Sequence, residues 1–323
     1  MNKKIINIDN LDNITKTEEE VIEILLNEND DFKYFDTTVL ALFSQGQEKN
    51  GVDNAPYLLV NKINEIFNIT KNSIVIPKYF DNIDLKKDYE ILYKYLQKTK
   101  SYVLIGGDYN CSQSSIKASL SKINPNDLYV IYIDSHPNIN TMMTLITKKI
   151  NKQPFSGIVQ FDGFVQFDRF GFTEFTGFAG FTGSNKQLIE SNNNLAFTNL
   201  LYFGIRNMSD DEIDIMTQHN IFYTMNLEII TSKIKSIIKL NPHCKFHVSF
   251  NVSALDPKFM KCTDCIKPHG LFPSEISNVI NLVFTKMMAF DIVELNPNIS
   301  SENIDMAVKS IYSILENTKL NNI

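Results

Sequence analysis

The sequence has few cysteines, no long hydrophobic run, no excess of basic charge and no linker rich in Pro, Gly or Ser, and each shortage excludes something. Four cysteines in 323 residues, with no secretion signal, do not make a disulfide framework, so reduced thiols are expected. Apolar runs such as Tyr102 to Ile105 and Leu128 to Ile133 end long before the roughly 20 residues that cross a bilayer, which argues against a membrane partner. Lys and Arg number 31 against 37 Asp and Glu, for a net charge of −6. No stretch concentrates enough of them to track phosphates, so no nucleic-acid partner is expected. The N-terminus, Met1 to Asp9, is too polar for a secretory segment and too soon acidic for a transit peptide, and a cytoplasmic protein is expected.

What is present is apolar mass. Hydrophobic residues make up 43% of the chain and charged ones 21%, enough to bury a substantial core. Short β-branched or aromatic runs alternate with segments of helical period, the pattern of βαβ units around a mainly parallel sheet. The strand candidates are Thr37 to Phe43, Ile74 to Ile76, Tyr102 to Ile105, Leu128 to Ile133, Leu200 to Phe203, Phe246 to Phe250 and Met288 to Val293. Between them, Leu85, Tyr89, Leu92 and Leu96 step at helical spacing, as do Ile304, Val308, Ile311 and Leu315, and these stripes read as core. The alternation continues without a linker to the C-terminus, so residues 1–323 read as one α/β domain.

Ligands of open parallel sheets sit at the carboxyl ends of the strands. Four such ends here are polar: Gly106-Gly107-Asp108-Tyr109-Asn110, Asp134-Ser135-His136-Pro137-Asn138, Asn251-Val252-Ser253 and Glu294-Leu295-Asn296-Pro297. They are expected to converge on a pocket holding few charges.

Those four ends, in that order, resemble the signatures of the ureohydrolase family, and of arginases most closely. The segments that carry the likeness are Gly-Gly-Asp; Asp134, His136, Ile139 and Asn140; Ser249 to Pro257; and Asp291 to Pro297. Phe43-Ser44-x-Gly46-Gln47 with Gly51, Val52 and Pro56, and Gly204-Ile205-Arg206 with Glu212, point the same way. The resemblance spans about residues 37–318. It implies a three-layer αβα sandwich of the arginase/deacetylase type and a homo-oligomer, usually a trimer. It also implies hydrolysis of arginine to ornithine and urea by hydroxide bridging two Mn²⁺ ions.

The ligand positions that the resemblance assigns are not kept. Asp134 and His136 match, but Tyr109, Asn138, Asn251 and Ser253 stand at the other four. A protonated phenol, amides and a hydroxyl are weak Mn²⁺ ligands, and the carboxylates that balance two dications are missing. No binuclear centre and no metal cofactor are therefore expected, and without it the activated water is missing too. The four neutral side chains can instead satisfy one another by hydrogen bonds. On the substrate side, Glu294 matches the carboxylate that holds the guanidinium, Asn140 a contact to the α-carboxylate, and Glu212 an acidic group near the α-amino group. The expectation is an arginase-like pseudoenzyme that binds a ligand, builds an oligomer or regulates an active arginase paralogue. Its rival is a hydrolase of a guanidino compound with one Mn²⁺ or other divalent ion at Asp134 and His136.

Three further features stand apart. Cys262 and Cys265 with His269 look like half of a zinc site, but no second Cys pair follows; His243, Cys244 and His247 would complete it only if the fold brought them close. A solvent-accessible thiol pair is expected instead, and Cys111 reads as a buried small hydrophobe. Between 161 and 183, Phe161, Phe164, Phe167, Phe170, Phe172, Phe175, Phe178 and Phe181 interleave with glycines in a spacing that suits neither helix nor strand. Such a segment either collapses onto its own molecule or docks a partner as a scaffold would.

Overall fold

The computed structural model describes residues 5–6, 35, 37–44, 49–67, 73–76, 85–139 and 195–320. The Phe-rich segment, Asn140, Gly46 and Gln47 lie outside them. Nine strands form one sheet in the described residues: β1 (Ile5–Ile6), β2 (Thr37–Ala41), β3 (Ser73–Ile76), β4 (Tyr102–Gly106), β5 (Leu128–Ile133), β6 (Leu200–Phe203), β7 (Phe222–Thr224), β8 (Lys245–Asn251) and β9 (Met287–Val293). Their order is β1-β3-β2-β4-β9-β8-β5-β6-β7, and every pair is parallel.

Side chains of a strand point alternately to the two faces, and here both faces are covered. From β4, Val103 and Ile105 join one core, whereas Tyr102 and Leu104 join the other. The first core is closed by α1 (Ala55–Ile66), α5 (Leu227–Leu240), α6 (Pro273–Val283) and α7 (Ile304–Leu320), through residues such as Leu59, Ile234, Ile280 and Ile311. The second is closed by α2 (Leu85–Lys98), α3 (Asn110–Lys122) and α4 (Asp210–Gln218), through Leu92, Ile116 and Met216. The result is the expected three-layer αβα sandwich. Strands buried on both sides read as continuous apolar runs, which is why the sequence exposes them so clearly.

Two strands were not expected. β7 pairs with β6 at the sheet edge, but its three residues leave Tyr223 exposed and carry no apolar run. β1 is two residues long. The strand expected from Thr37 to Phe43 ends at Ala41, because the chain there turns toward the site: Gly107 N–H donates to Ala41 O at 3.1 Å and Asp108 N–H to Phe43 O at 3.0 Å. A Cβ on Gly107 would lie 1.9 Å from Phe43 O, so this approach needs glycine. Among the described residues no helix is long and apolar enough to cross a membrane.

Candidate functional site

The four strands whose ends carry the polar motifs, β4, β9, β8 and β5, are four consecutive neighbours in the sheet. Parallel pairing therefore brings their carboxyl ends to one edge. Asp134, one residue beyond β5, is fully buried and forms the centre. Its Oδ1 accepts from Ser253 Oγ at 2.9 Å and from the His136 backbone N–H at 3.1 Å. Its Oδ2 accepts from Asn251 Nδ2 at 2.9 Å and Asn138 Nδ2 at 3.0 Å. Asn251 is itself oriented, its Oδ1 taking the Ser253 N–H at 2.9 Å. Burial pushes the Asp134 carboxyl up to about 6, and the donors from His136, Ser253 and Asn251 pull against that rise.

His136 turns away from this centre. Its Nδ1 meets Ser135 Oγ at 2.7 Å, and Ser135 Oγ continues to Ser253 Oγ at 2.9 Å. The Asn207 amide approaches Nε2 from the loop after β6, and Cys265 Sγ lies 3.3 Å from the same nitrogen. With donors at Nε2, the ring carries its proton on Nδ1. Burial, then the charges of Lys267 and Arg206, hold the imidazole down to about 4. It is neutral at physiological pH.

Tyr109 and Glu294 meet on the other side. The Tyr109 backbone N–H donates to Glu294 Oε1 at 2.7 Å, and the Tyr109 ring packs on the second core. Glu294 has φ 73°, a left-handed conformation that costs a non-glycine residue on the order of 1 kcal/mol. The Tyr109 contact and the bond from Glu294 N–H to Gly107 O, at 2.8 Å, hold it there. Burial, then the charge of Asp108, push its carboxyl well above the usual range, with Asp134 and Asp264 adding to the effect. The pocket thus gathers Asp108, Asp134, Asp264 and Glu294, more carboxyl groups than the expected pocket of few charges. Asp108 and Asp264 were overlooked because one sits inside the Gly-Gly-Asp turn and the other in a distant loop.

Other sequence candidates lie elsewhere. Glu212 closes the capping box of α4, its Oε2 accepting the Ser209 N–H at 2.9 Å while Ser209 Oγ accepts the Glu212 N–H at 3.3 Å. The expected accessible thiol pair is not found, since Cys262 is buried and only Cys265 is partly exposed. Cys111 is buried as expected. His247 is buried on β8 between Asp291 Oδ2, at 2.7 Å, and Ser119 Oγ, at 2.8 Å. Among the described residues no group of three or more His, Cys, Asp or Glu side chains is placed to hold a metal ion.

The residue most underrated by the sequence is Arg206. Its Nε donates to Pro268 O, Nη1 to Gly204 O and Ala254 O, and Nη2 to Ser253 O, Leu255 O and Lys267 O, at 2.8 to 3.3 Å. One guanidinium thereby ties the Ser253 turn to the loop that carries Cys265.

A parallel αβα sandwich with its polar centre at the ends of β4, β9, β8 and β5 defines the class. Comparison with known proteins supplies the family: the profile of the Arginase family matches residues 44–316, and the chain belongs to that family. The mitochondrial arginase-2 of Rattus norvegicus is 24% identical over 291 residues, covering 81% of this chain and 77% of the relative. The arginase of Entamoeba histolytica is 22% identical over 317 residues, covering 83% and 94%. Among solved structures, E. histolytica arginase in complex with L-ornithine aligns with a TM-score of 0.65 at 17% identity, covering 86% of this chain and 97% of that one. Formimidoylglutamase from Bacillus subtilis aligns at 0.58 and 15%, covering 88% and 85%. At these identities the structural likeness speaks for the fold.

Proposed function

We propose that this chain is an arginase-fold pseudoenzyme. It holds no binuclear Mn²⁺ centre, does not hydrolyse arginine, and acts in the cytoplasm as a ligand-binding or regulatory subunit of a homo-oligomer. The observation that carries the reading is the surroundings of Asp134. Asn138, Asn251 and Ser253 direct N–H and O–H hydrogens at its carboxylate, so the groups at three expected ligand positions serve as donors to the one remaining carboxylate. A cation needs lone pairs converging on one point, and it needs carboxylates to offset its charge. His136 is turned as well, with Nδ1 on Ser135 and Nε2 toward Asn207 and Cys265. These residues do not fit the two-metal cluster. Hydrogen bonds do here what a dication does for clustered carboxylates: they stabilise one buried negative charge. Glu294, Asp264 and Asp108 leave the pocket suited to a cationic guanidino ligand, bound without being cleaved.

The decisive experiment loads purified protein with excess Mn²⁺, removes free ion, and measures metal per protomer alongside urea release from arginine. Essentially no bound Mn and no urea are expected. About two Mn per chain with urea production would overturn the reading. One ion per chain, with urea release lost in His136→Ala, would establish a hydrolase with a reduced metal site instead. Light scattering on the same sample measures the oligomer, for which a trimer is expected.

A further inference from the structure

Of the four cysteines, Cys111, Cys244 and Cys262 are buried, and Cys265 alone is partly exposed. It is also the one in contact with a base. Its Sγ lies 3.3 Å from His136 Nε2, and the other ring nitrogen is fixed by Ser135 Oγ at 2.7 Å. A thiol, an imidazole and a group orienting that imidazole form the arrangement of an activated nucleophile. Three separate segments build it: the β5 end gives Ser135 and His136, the loop after β6 gives Asn207, and the loop after β8 gives Cys265. Arg206 binds carbonyls on both sides of the last loop, at Ser253 and at Lys267, so the thiol is held rather than free to swing.

We propose that Cys265 is a covalent attachment site for small, neutral α,β-unsaturated carbonyl compounds entering the pocket, with His136 as the group that takes the thiol proton. The Sγ–H proton passes to Nε2 as sulfur bonds to the β-carbon, and the C=C electrons move to the carbonyl oxygen as enolate. The imidazolium then returns the proton to the α-carbon, leaving a thioether and a neutral His136; no oxidant or second reactant is consumed. The groups around the pair suit this step. The Asn207 amide and the positive charges of Lys267 and Arg206 favour the enolate oxygen, while Asp134, on the far side of Ser135, favours the transient imidazolium. Among the thiol's neighbours, Lys267 and Arg206 favour the thiolate, and burial and Asp134 oppose it. The thiol therefore stays protonated at rest and depends on its base.

This inference rests on the metal-free reading, because a bound cation would compete for the His136 lone pair. The test is therefore run after chelation, with bound metal scored separately, so that the two ideas fail independently. Native protein is treated with limiting N-ethylmaleimide, itself a conjugated carbonyl, and the adducts are counted by intact mass and mapped by peptide mass spectrometry. One equivalent is expected on Cys265, at least about tenfold ahead of the other three cysteines, and Cys265→Ser removes it. His136→Gln is expected to slow this addition about tenfold while circular dichroism stays unchanged. Should that variant fail to fold, Lys267→Met reads the same step through loss of the charge that favours the enolate. Labelling of Cys265 no faster than of Cys111, Cys244 and Cys262, or at an undiminished rate in the folded variants, overturns the proposal.

Discussion

Asp134 and His136 are two residues apart, and folding moves their proton affinities in opposite directions. Asp134 rises to about 6 in the folded chain, so its contribution is full below the unfolded carboxyl pKa near 3.9 and is lost as pH rises toward 6. His136 falls to about 4; its contribution is full above 6.5 and is lost as pH falls toward 4. Between those limits the two largely cancel, the folded chain holding on Asp134 the proton that the unfolded chain holds on His136. Replacing His136 with Gln removes one half of the compensation. Relative to wild type, the variant is expected to lose stability by up to about 3 kcal/mol as pH rises from 4 to 6.5, read as the difference in urea unfolding midpoints. Asn251→Ala tests the donor side: it deletes one bond to a buried carboxylate and is expected to destabilise by about 2 kcal/mol at pH 7. A change below about 0.5 kcal/mol would mean that Asn251 does not hold Asp134.

Asp134, His136, Asn251 and Ser253 stand out in the sequence because they end β-branched runs; Cys265 and Asn207 do not, because their partner is 129 and 71 residues away. No local pattern encodes such contacts.

At the scale of elements, loops are held by bonds to their backbones, and Arg206 is the main example. Lys cannot reproduce the planar fork that reaches the carbonyls of Ser253, Leu255 and Lys267 together. Arg206→Lys is expected to cost about 2 kcal/mol, since part-buried carbonyls lose their donors. It is also expected to speed amide hydrogen exchange in 253–255 and 265–268 while β5 and β8 stay protected. Exchange rising evenly across the sheet would show that Arg206 supports the fold at large rather than these two loops. The helices were legible from their stripes: α2 and α7 lie where the spacing of Leu85 to Leu96 and Ile304 to Leu315 placed them. β7 was not, because its pairing with β6 comes from backbone geometry at the sheet edge rather than from an apolar run.

The whole molecule decides whether the site tolerates charge. Tyr109→His, Asn138→Asp, Asn251→Asp and Ser253→Asp together would return the ligand types that the family resemblance implies. Without metal, the new carboxylates repel Asp134 and one another, so the quadruple variant is expected to melt several degrees below wild type. Adding Mn²⁺ is expected to raise its Tm and leave wild type unmoved, because only a folded chain with a site gains from the ion. A wild-type Tm that climbs with Mn²⁺ would contradict the metal-free reading.

The sequence by itself determined the layers and the place of the site. Periodicity is a local property, and strands buried on both faces leave uninterrupted apolar runs that end abruptly at polar residues. It also determined which side-chain types occupy the ligand positions, and hence what they cannot coordinate. The tertiary structure alone decided where those side chains point. It put Asn138, Asn251 and Ser253 on one carboxylate, turned His136 toward Cys265, and drew Glu212 into a helix cap. Such choices depend on burial and on contacts between residues far apart in the chain, where an unmatched polar group costs more than any local preference.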